Sequence, residues 1–238
     1  MTKEICLPIY NEEKVMEANI RRLLNFLESS KISDWQIVLL VNGSSDASGN
    51  IAQRLAAENS KIKAITTPQP GKGRAVMEYF QRSSADILIY MDIDLAVSLD
   101  NLPALITAIE KENYDLAFGS RLLKDSRTDR GLIRDLGSRG YNLLARLILH
   151  HPFSDLQCGF KAIKKEVAQK LAPKIEDKNW FFDTELIVLA QRAGYRLQEI
   201  AVDWKASRYE KRKSHIKIFR DVWRFLRNLI KLKMRLEK

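Results

Sequence analysis

Apolar positions in the first half of the chain fall into two alternating patterns. Residues 5–10, 35–41, 62–66, 87–91 and 114–119 are short apolar runs with β-type residues, and they predict strands. Between them, residues 13–27, 46–58, 74–82 and 99–110 repeat apolar side chains at helical spacing, with Ser45 or Asp46 placed to cap the second helix. Strand–helix alternation of this kind predicts an α/β fold built on a mostly parallel sheet covered by helices. In such sheets ligands bind beyond the carboxyl ends of the strands. Asn11-Glu12, Asn42-Gly43, Asp92 to Asp94 and Ser120-Arg121 all sit at those ends and are expected to converge. The second half is less regular. Helices are expected over 134–149 and 182–193, strands over 159–164 and 196–202, and a mobile polar loop over 122–131. A last helix, over 216–236, is strongly basic, and no internal repeat or low-complexity linker interrupts the chain.

Asp92 and Asp94 follow directly on the apolar run Ile87-Leu88-Ile89-Tyr90-Met91. A buried strand does not tolerate unpaired carboxylates, but a strand end does if a cation waits there. Oxygen ligands of this type suit Mg²⁺ or Mn²⁺, which keep waters and bridge to a substrate diphosphate. The plainer alternative is a polar strand end with a helix-capping Asp; the neighbouring polar strand ends favour the cation. Gly71-Lys72-Gly73 opens a helix after Pro68 and Pro70 and matches neither the P-loop nor the dinucleotide glycine pattern. Lys72 is thus either part of a turn or a phosphate contact. Arg121 ends a strand with a permanently charged guanidinium suited to phosphate. Arg134, Arg139 and the cluster Arg208, Lys211, Arg212, Lys213 are unremarkable singly, yet together they offset a diphosphate and a second anion. Asp155, Asp183 and Glu185 are candidate general bases, although an acid at a helix start, such as Asp183, is common for electrostatic reasons alone. His150, His151 and His215 lack metal-ligand spacing, and Cys6 and Cys158 have no activating neighbour.

Length and charge then narrow the picture. The chain has 238 residues, 45% of them hydrophobic, enough for one large domain or a domain with an appendage. Two distant cysteines, no leader-like start and no run of about 18 apolar residues lead to the expectation of a reduced, cytoplasmic protein. The net charge of +10 lies wholly in the tail: from Lys205 onward thirteen Lys and Arg face only Glu210, Asp221 and Glu237. The expected division is a catalytic domain over 1–204 and a basic loop and helix over 205–238. In that helix Phe219, Val222, Trp223, Leu226, Leu229 and Ile230 share a face, with Lys217, Arg220, Arg224, Arg227 and Lys231 around them. The alternatives are an interfacial membrane helix and a core-packing helix; the one-signed charge favours an anionic membrane surface. No nucleic-acid motif accompanies it.

Together, Pro8-Ile9-Tyr10-Asn11-Glu12, Asn42-Gly43-Ser44-Ser45-Asp46, Asp92-Ile93-Asp94-Leu95 and Gly119-Ser120-Arg121 resemble family 2 glycosyltransferases of the GT-A fold. Asp155-Leu156-Gln157-Cys158-Gly159-Phe160-Lys161 and Phe182-Asp183-Thr184-Glu185 are similar to the branch that makes dolichyl- or polyprenyl-phosphate sugars. The resemblance covers nearly the whole chain, in the family's order. It implies inverting transfer of a hexose from a nucleotide sugar, UDP-glucose or GDP-mannose, to a polyprenyl phosphate on the cytoplasmic face of a membrane. It also implies that Pro8, Tyr10 and Glu12 contact the nucleoside and that Asp92 and Asp94 hold the divalent ion; Asn42 is a further donor-site candidate. Arg121 and Arg134 would face phosphate, and residues 208–214, with Arg208, Lys213 and Ser214, would close over the acceptor. Transfer to a soluble hydroxyl acceptor, or binding without catalysis, remain the alternatives. Two departures stand out: Val41-Asn42 replaces the family's paired aspartates, and Ala96 stands where the family often has Gln. Many relatives carry transmembrane helices after the catalytic domain, so here the basic helix is the expected membrane contact.

Overall fold

The computed structural model describes residues 1–129, 131–205 and 218–237. Strands β1 (Lys3–Ile9), β2 (Trp35–Asn42), β3 (Ile62–Thr67) and β4 (Ile87–Met91) alternate with helices α1 (Met16–Ser29), α2 (Ser48–Glu58) and α3 (Lys72–Arg82). After β4 come α4 (Leu102–Glu110), β5 (Leu116–Ser120), β6 (Arg127–Asp129) and α5 (Leu132–Leu149). The chain continues through β7 (Phe160–Lys164), α6 (Lys165–Leu171), α7 (Phe182–Arg192), β8 (Leu197–Ala201), β9 (Asp203–Lys205) and α8 (Ile218–Leu236). Seven strands form one sheet in the order β3-β2-β1-β4-β7-β5-β8, parallel except for β7, which runs antiparallel between β4 and β5. This is the expected α/β fold of GT-A type.

The sheet is buried on both faces, and strand periodicity sorts its residues between them. Ile5, Leu7 and Ile9 of β1 join Ile37, Leu39, Val41, Ile87, Ile89 and Met91 in a core under α1, α2 and α4. Their alternate neighbours, Cys6, Val38, Leu40, Leu88 and Tyr90, join a second core with residues of α3, α5, α6 and α7. A two-sided core explains why these strands read as continuous apolar runs. Each buried Leu or Ile contributes about 1.5–3 kcal/mol.

Two expectations need correction. The polar segment 122–131 holds a strand, β6, which pairs in parallel with β9; that partner lies far along the chain and leaves no local pattern. β9 itself ties back to the acidic loop through Lys205 N–H to the Ala96 carbonyl, 2.9 Å. The described part of α8 packs on the main body: Leu229 and Leu232 are fully buried in the second core, and Phe225 meets Tyr141 of α5 edge-on at 5.2 Å. Ile230, placed by spacing on the same face as Leu229, points outward and is 47% exposed. Among the described residues no helix is long and apolar enough to cross a membrane.

Candidate functional site

The carboxyl ends of β1 and β2 are laced together before any ligand is considered. Asn11, in the left-handed region at φ 54°, accepts the Ser45 N–H on Oδ1 at 2.8 Å, and its own N–H reaches Ser44 Oγ at 3.0 Å. The Glu12 N–H reaches Ser48 Oγ at 2.8 Å. Tyr10 is left half-exposed at the rim, Glu12 is partly buried, and Pro8 lies beneath them within β1. Asn42, at the end of β2, is buried, and its amide is engaged inside the chain. It donates to the Ile9 carbonyl at 2.9 Å and accepts the Gly71 N–H at 3.1 Å. Its direct role is to join β1, β2 and the turn that leads into α3.

That turn delivers Lys72. Gly43 and Gly71 both have positive φ, and a Cβ on Gly43 would run into Pro70. Lys72 Nζ then lies 2.6 Å from Asp92 Oδ1, above the rings of Tyr90 and Trp180 at 5.1 and 5.0 Å. Burial works against the ammonium, but Asp92, Asp183 and Asp94 outweigh it and hold its pKa above the ordinary lysine value.

Asp92 and Asp94 leave β4 in a tight turn in which Leu95 adopts φ 48°. A left-handed leucine costs on the order of 1 kcal/mol and is the kind of strain that gathers at working sites. The Ala96 N–H donates to Asp94 Oδ1 at 3.1 Å. Burial first, and then the neighbouring charge of Asp92, push the Asp94 carboxyl up to about 6. The Asp92 N–H donates to the Gly159 carbonyl at 3.1 Å, and a side chain at 159 would overlap the Asp92 carboxylate. The pocket around the pair is lined by Asp92, Asp94, Arg121, Gly159, Phe160 and Trp204.

Arg121 closes one side of this pocket. Its Nε and a terminal nitrogen grip the two oxygens of Asp155 at 2.6 and 2.9 Å, and its backbone N–H adds a third bond at 3.1 Å. Asp155 is fully buried; burial alone would raise its pKa, but Arg121 reverses this and holds it below the usual carboxylate range. Asp183 lies behind the pocket rather than in it, buried and ion-paired with Lys161, with the Tyr90 hydroxyl 3.4 Å away. Glu185 accepts the N–H groups of Glu176 and Asp177 at 3.0 and 2.8 Å and pairs with Arg235 of α8 at 2.6 Å. The three carboxylates considered as bases are therefore all buried and bonded within the chain.

The structure thus brings Asp92, Asp94, Lys72 and Arg121 together, with Tyr10 and Glu12 on the adjoining loop. Asp183 stands behind them. Arg134 lies in α5, whereas Arg208, Lys213 and Ser214 fall outside the described residues. Tyr90, Gly159 and Lys161 stood in stretches singled out in the sequence without a site role, and Trp204 was not singled out. Lys161 did leave a signal: it alternates with apolar residues in a strand, where a buried lysine demands an acid.

Among the described residues no group of three or more His, Cys, Asp or Glu forms a ligand cluster. The donor set still fits Mg²⁺ or Mn²⁺, because two carboxylates share one pocket, where burial first and then the charge of Asp92 work against the ionised form of Asp94. Such ions are commonly bound by one or two carboxylates plus waters and substrate phosphate.

The Glycosyl transferase family 2 model matches residues 4–172. Glycosyltransferase AglD of Haloferax volcanii is 39% identical over 203 residues, which cover 84% of this chain and 32% of that protein. A dolichyl-phosphate beta-glucosyltransferase of Trichomonas vaginalis, ALG5D, is 29% identical over 209 residues, 83% of this chain and 64% of the relative. The chain therefore spans about a third of the one relative and just under two thirds of the other. Among solved structures, glucosyl-3-phosphoglycerate synthase from Mycobacterium tuberculosis, in complex with Mn²⁺, UDP and glucosyl-3-phosphoglycerate, superposes with a TM-score of 0.69. At 18% identity, covering 99% of this chain and 79% of that one, it shows the shared fold. By the extent of the family match, set on a GT-A sheet with its acidic pair at the end of β4, this chain belongs to glycosyl transferase family 2.

Proposed function

We propose that the protein transfers a hexose from a nucleotide sugar to a polyprenyl phosphate of the dolichyl type at a membrane surface, with inversion at the anomeric carbon. One observation carries the choice of acceptor: Asp155, Asp183 and Glu185 are each buried and ion-paired. A hydroxyl acceptor needs a carboxylate free to take its proton. A phosphate monoester is already ionised near neutral pH and needs only to be positioned by cations. Relatives named as dolichyl-phosphate beta-glucosyltransferases support this acceptor and favour glucose over mannose.

Nucleoside diphosphate leaves slowly until its charge is neutralised. A divalent ion held by Asp92 and Asp94 would supply part of that neutralisation. Lys72 exchanges its contact with Asp92 for a donor phosphate, staying over the faces of Tyr90 and Trp180. Arg121, aimed by Asp155, adds a rigid second cation. Pro8, Tyr10 and Glu12 border the nucleoside, and Asn42 fixes the loop beside it. Arg134 is assigned to phosphate, and Arg208, Lys213 and Ser214 to the acceptor, on the resemblance alone. The strongly basic tail supports the reading that the reaction runs at an anionic membrane surface, taken as the cytoplasmic face.

Replacing Asp94 tests the metal assignment. Asp94→Asn is expected to lower transfer from UDP-glucose by about a hundredfold or more, with an unchanged circular dichroism spectrum and melting temperature. Wild-type transfer by this variant would remove the acidic pair from the mechanism.

A further inference from the structure

Three aromatic residues in a row, Trp180, Phe181 and Phe182, lead into α7. Phe181 and Phe182 turn inward to the second core, whereas Trp180 turns outward and is 61% exposed. The loop that carries it is nevertheless fastened from three sides. Asp177 Oδ1 accepts the Asn179 and Phe181 N–H groups at 2.8 and 3.0 Å, and its other oxygen takes the Asn228 amide of α8 at 3.1 Å. Glu185 of α7 holds the start of the loop through the Glu176 and Asp177 N–H groups. From α3, Gly73 and Arg74 donate their N–H groups to the Asn179 and Lys178 carbonyls at 3.0 and 3.1 Å. A Cβ on Gly71 would run into the Lys178 carbonyl, so loop and helix meet backbone to backbone. A large ring held out to solvent on so firmly tied a backbone is preorganised for contact.

The ring stands beside the acidic pair. Lys72 Nζ lies 5.0 Å from its centroid and 2.6 Å from Asp92 Oδ1, so ring and carboxylate are no further apart than the breadth of one hexose. Most of the indole is open, and Lys72 covers only part of it. An occupant of this space must be apolar against the indole and polar towards Lys72 and Asp92. A hexose has that character, with C–H groups on the faces of its ring and hydroxyls around the edge. An isoprenoid chain does not, because it would strip water from the ammonium and the carboxylate without replacing their hydrogen bonds. The position also suits the donor: its diphosphate is assigned to Lys72 and the acidic pair, and the hexose is bonded directly to that diphosphate.

We propose that Trp180 is the platform on which the donor hexose lies, with the indole against a C–H face of the sugar. This deepens the proposed function and rests on its reading of the donor as UDP-glucose. A hexose held by the indole on one side and by its diphosphate on the other cannot swing about the glycosidic oxygen. Its anomeric carbon then stays in one orientation towards the incoming phosphate, which is the positioning that speeds a displacement.

The test is calorimetric titration of wild type and Trp180→Ala with UDP-glucose and with UDP, in Mn²⁺ and without acceptor. UDP shares the nucleotide, the ion and Lys72 with the donor and lacks only the sugar. Trp180→Ala is expected to weaken UDP-glucose about tenfold and UDP only about twofold, through the lost contact with Lys72. The melting temperature should stay at its wild-type value, because the ring is exposed. In NMR spectra the Trp180 indole N–H resonance, assigned by its absence in Trp180→Phe, should shift with UDP-glucose and far less with UDP. Equal losses for the two ligands would overturn the proposal, since the ring would then serve Lys72 alone. Unchanged UDP-glucose affinity with a raised KM for the polyprenyl phosphate would overturn it too, by giving the ring to the lipid. The two readings fail separately. Sugar-dependent binding through Trp180 without transfer to any polyprenyl phosphate would leave the platform standing and the proposed acceptor fallen. Transfer to polyprenyl phosphate that Trp180→Ala leaves untouched would do the reverse.

Discussion

Lys72 and Gly159 show how single residues set the state of the acidic pair. Lys72 neutralises Asp92 at 2.6 Å, while the Gly159 backbone packs flat against the same carboxylate. Any side chain at 159 must push Asp92 away from its present position. Gly159→Ala is therefore expected to lower transfer about ten- to a hundredfold and weaken Mn²⁺ binding in a titration, at a stability cost of about 1–3 kcal/mol. Wild-type Mn²⁺ affinity in this variant would show that Asp92 tolerates displacement. The acidic pair was legible because charge directly after an apolar run is conspicuous. The status of Asp183 was not, because its partner Lys161 lies in a different element and only folding brings them together. The position of Asp183 at a helix start offered a sufficient local explanation that concealed the ion pair.

Among the elements, α8 departs furthest from its sequence reading. Spacing put Leu229 and Ile230 on one amphipathic face, but packing against α5 and α7 rotates the buried side towards Phe225, Leu229 and Leu232. Arg235 anchors the end of the helix through buried Glu185. Leu229→Ala is expected to cost about 2–5 kcal/mol in chemical denaturation, whereas Ile230→Ala should stay within about 0.5 kcal/mol. Equal losses at the two positions would contradict the packed geometry. Strands β1 to β4 were legible because burial on both faces writes a continuous apolar run. β6 and β9 were not, since Arg127 to Asp129 and Asp203 to Lys205 carry no such pattern, and their pairing is fixed by chain segments far apart.

At the scale of the whole molecule, stability and function make separate demands. His151 is buried beside Phe153, and neither ring nitrogen finds a hydrogen-bond partner among the described residues. Burial, and then Arg146, press its pKa down to about 4 from the ordinary 6.5. Between those values the unfolded chain takes up a proton that the folded chain refuses. Stability is thus full above pH 6.5 and declines towards pH 4, by about 3 kcal/mol from this residue. His151→Phe should flatten that part of the profile in denaturation experiments run across the window; an unchanged slope would assign it to other groups. The sheet order, with β7 inserted antiparallel, delivers Gly159 and Lys161 to the site from the second half of the chain. That is why motif order alone revealed the family while the way its parts interlock needed the fold. The central claim concerns the acceptor, and the most direct measurement compares a polyprenyl phosphate with the matching polyprenol, using UDP-glucose and Mn²⁺. Glucosylation of the phosphate with none of the alcohol is the predicted result. Comparable transfer to the alcohol, or no transfer to the phosphate, would contradict it.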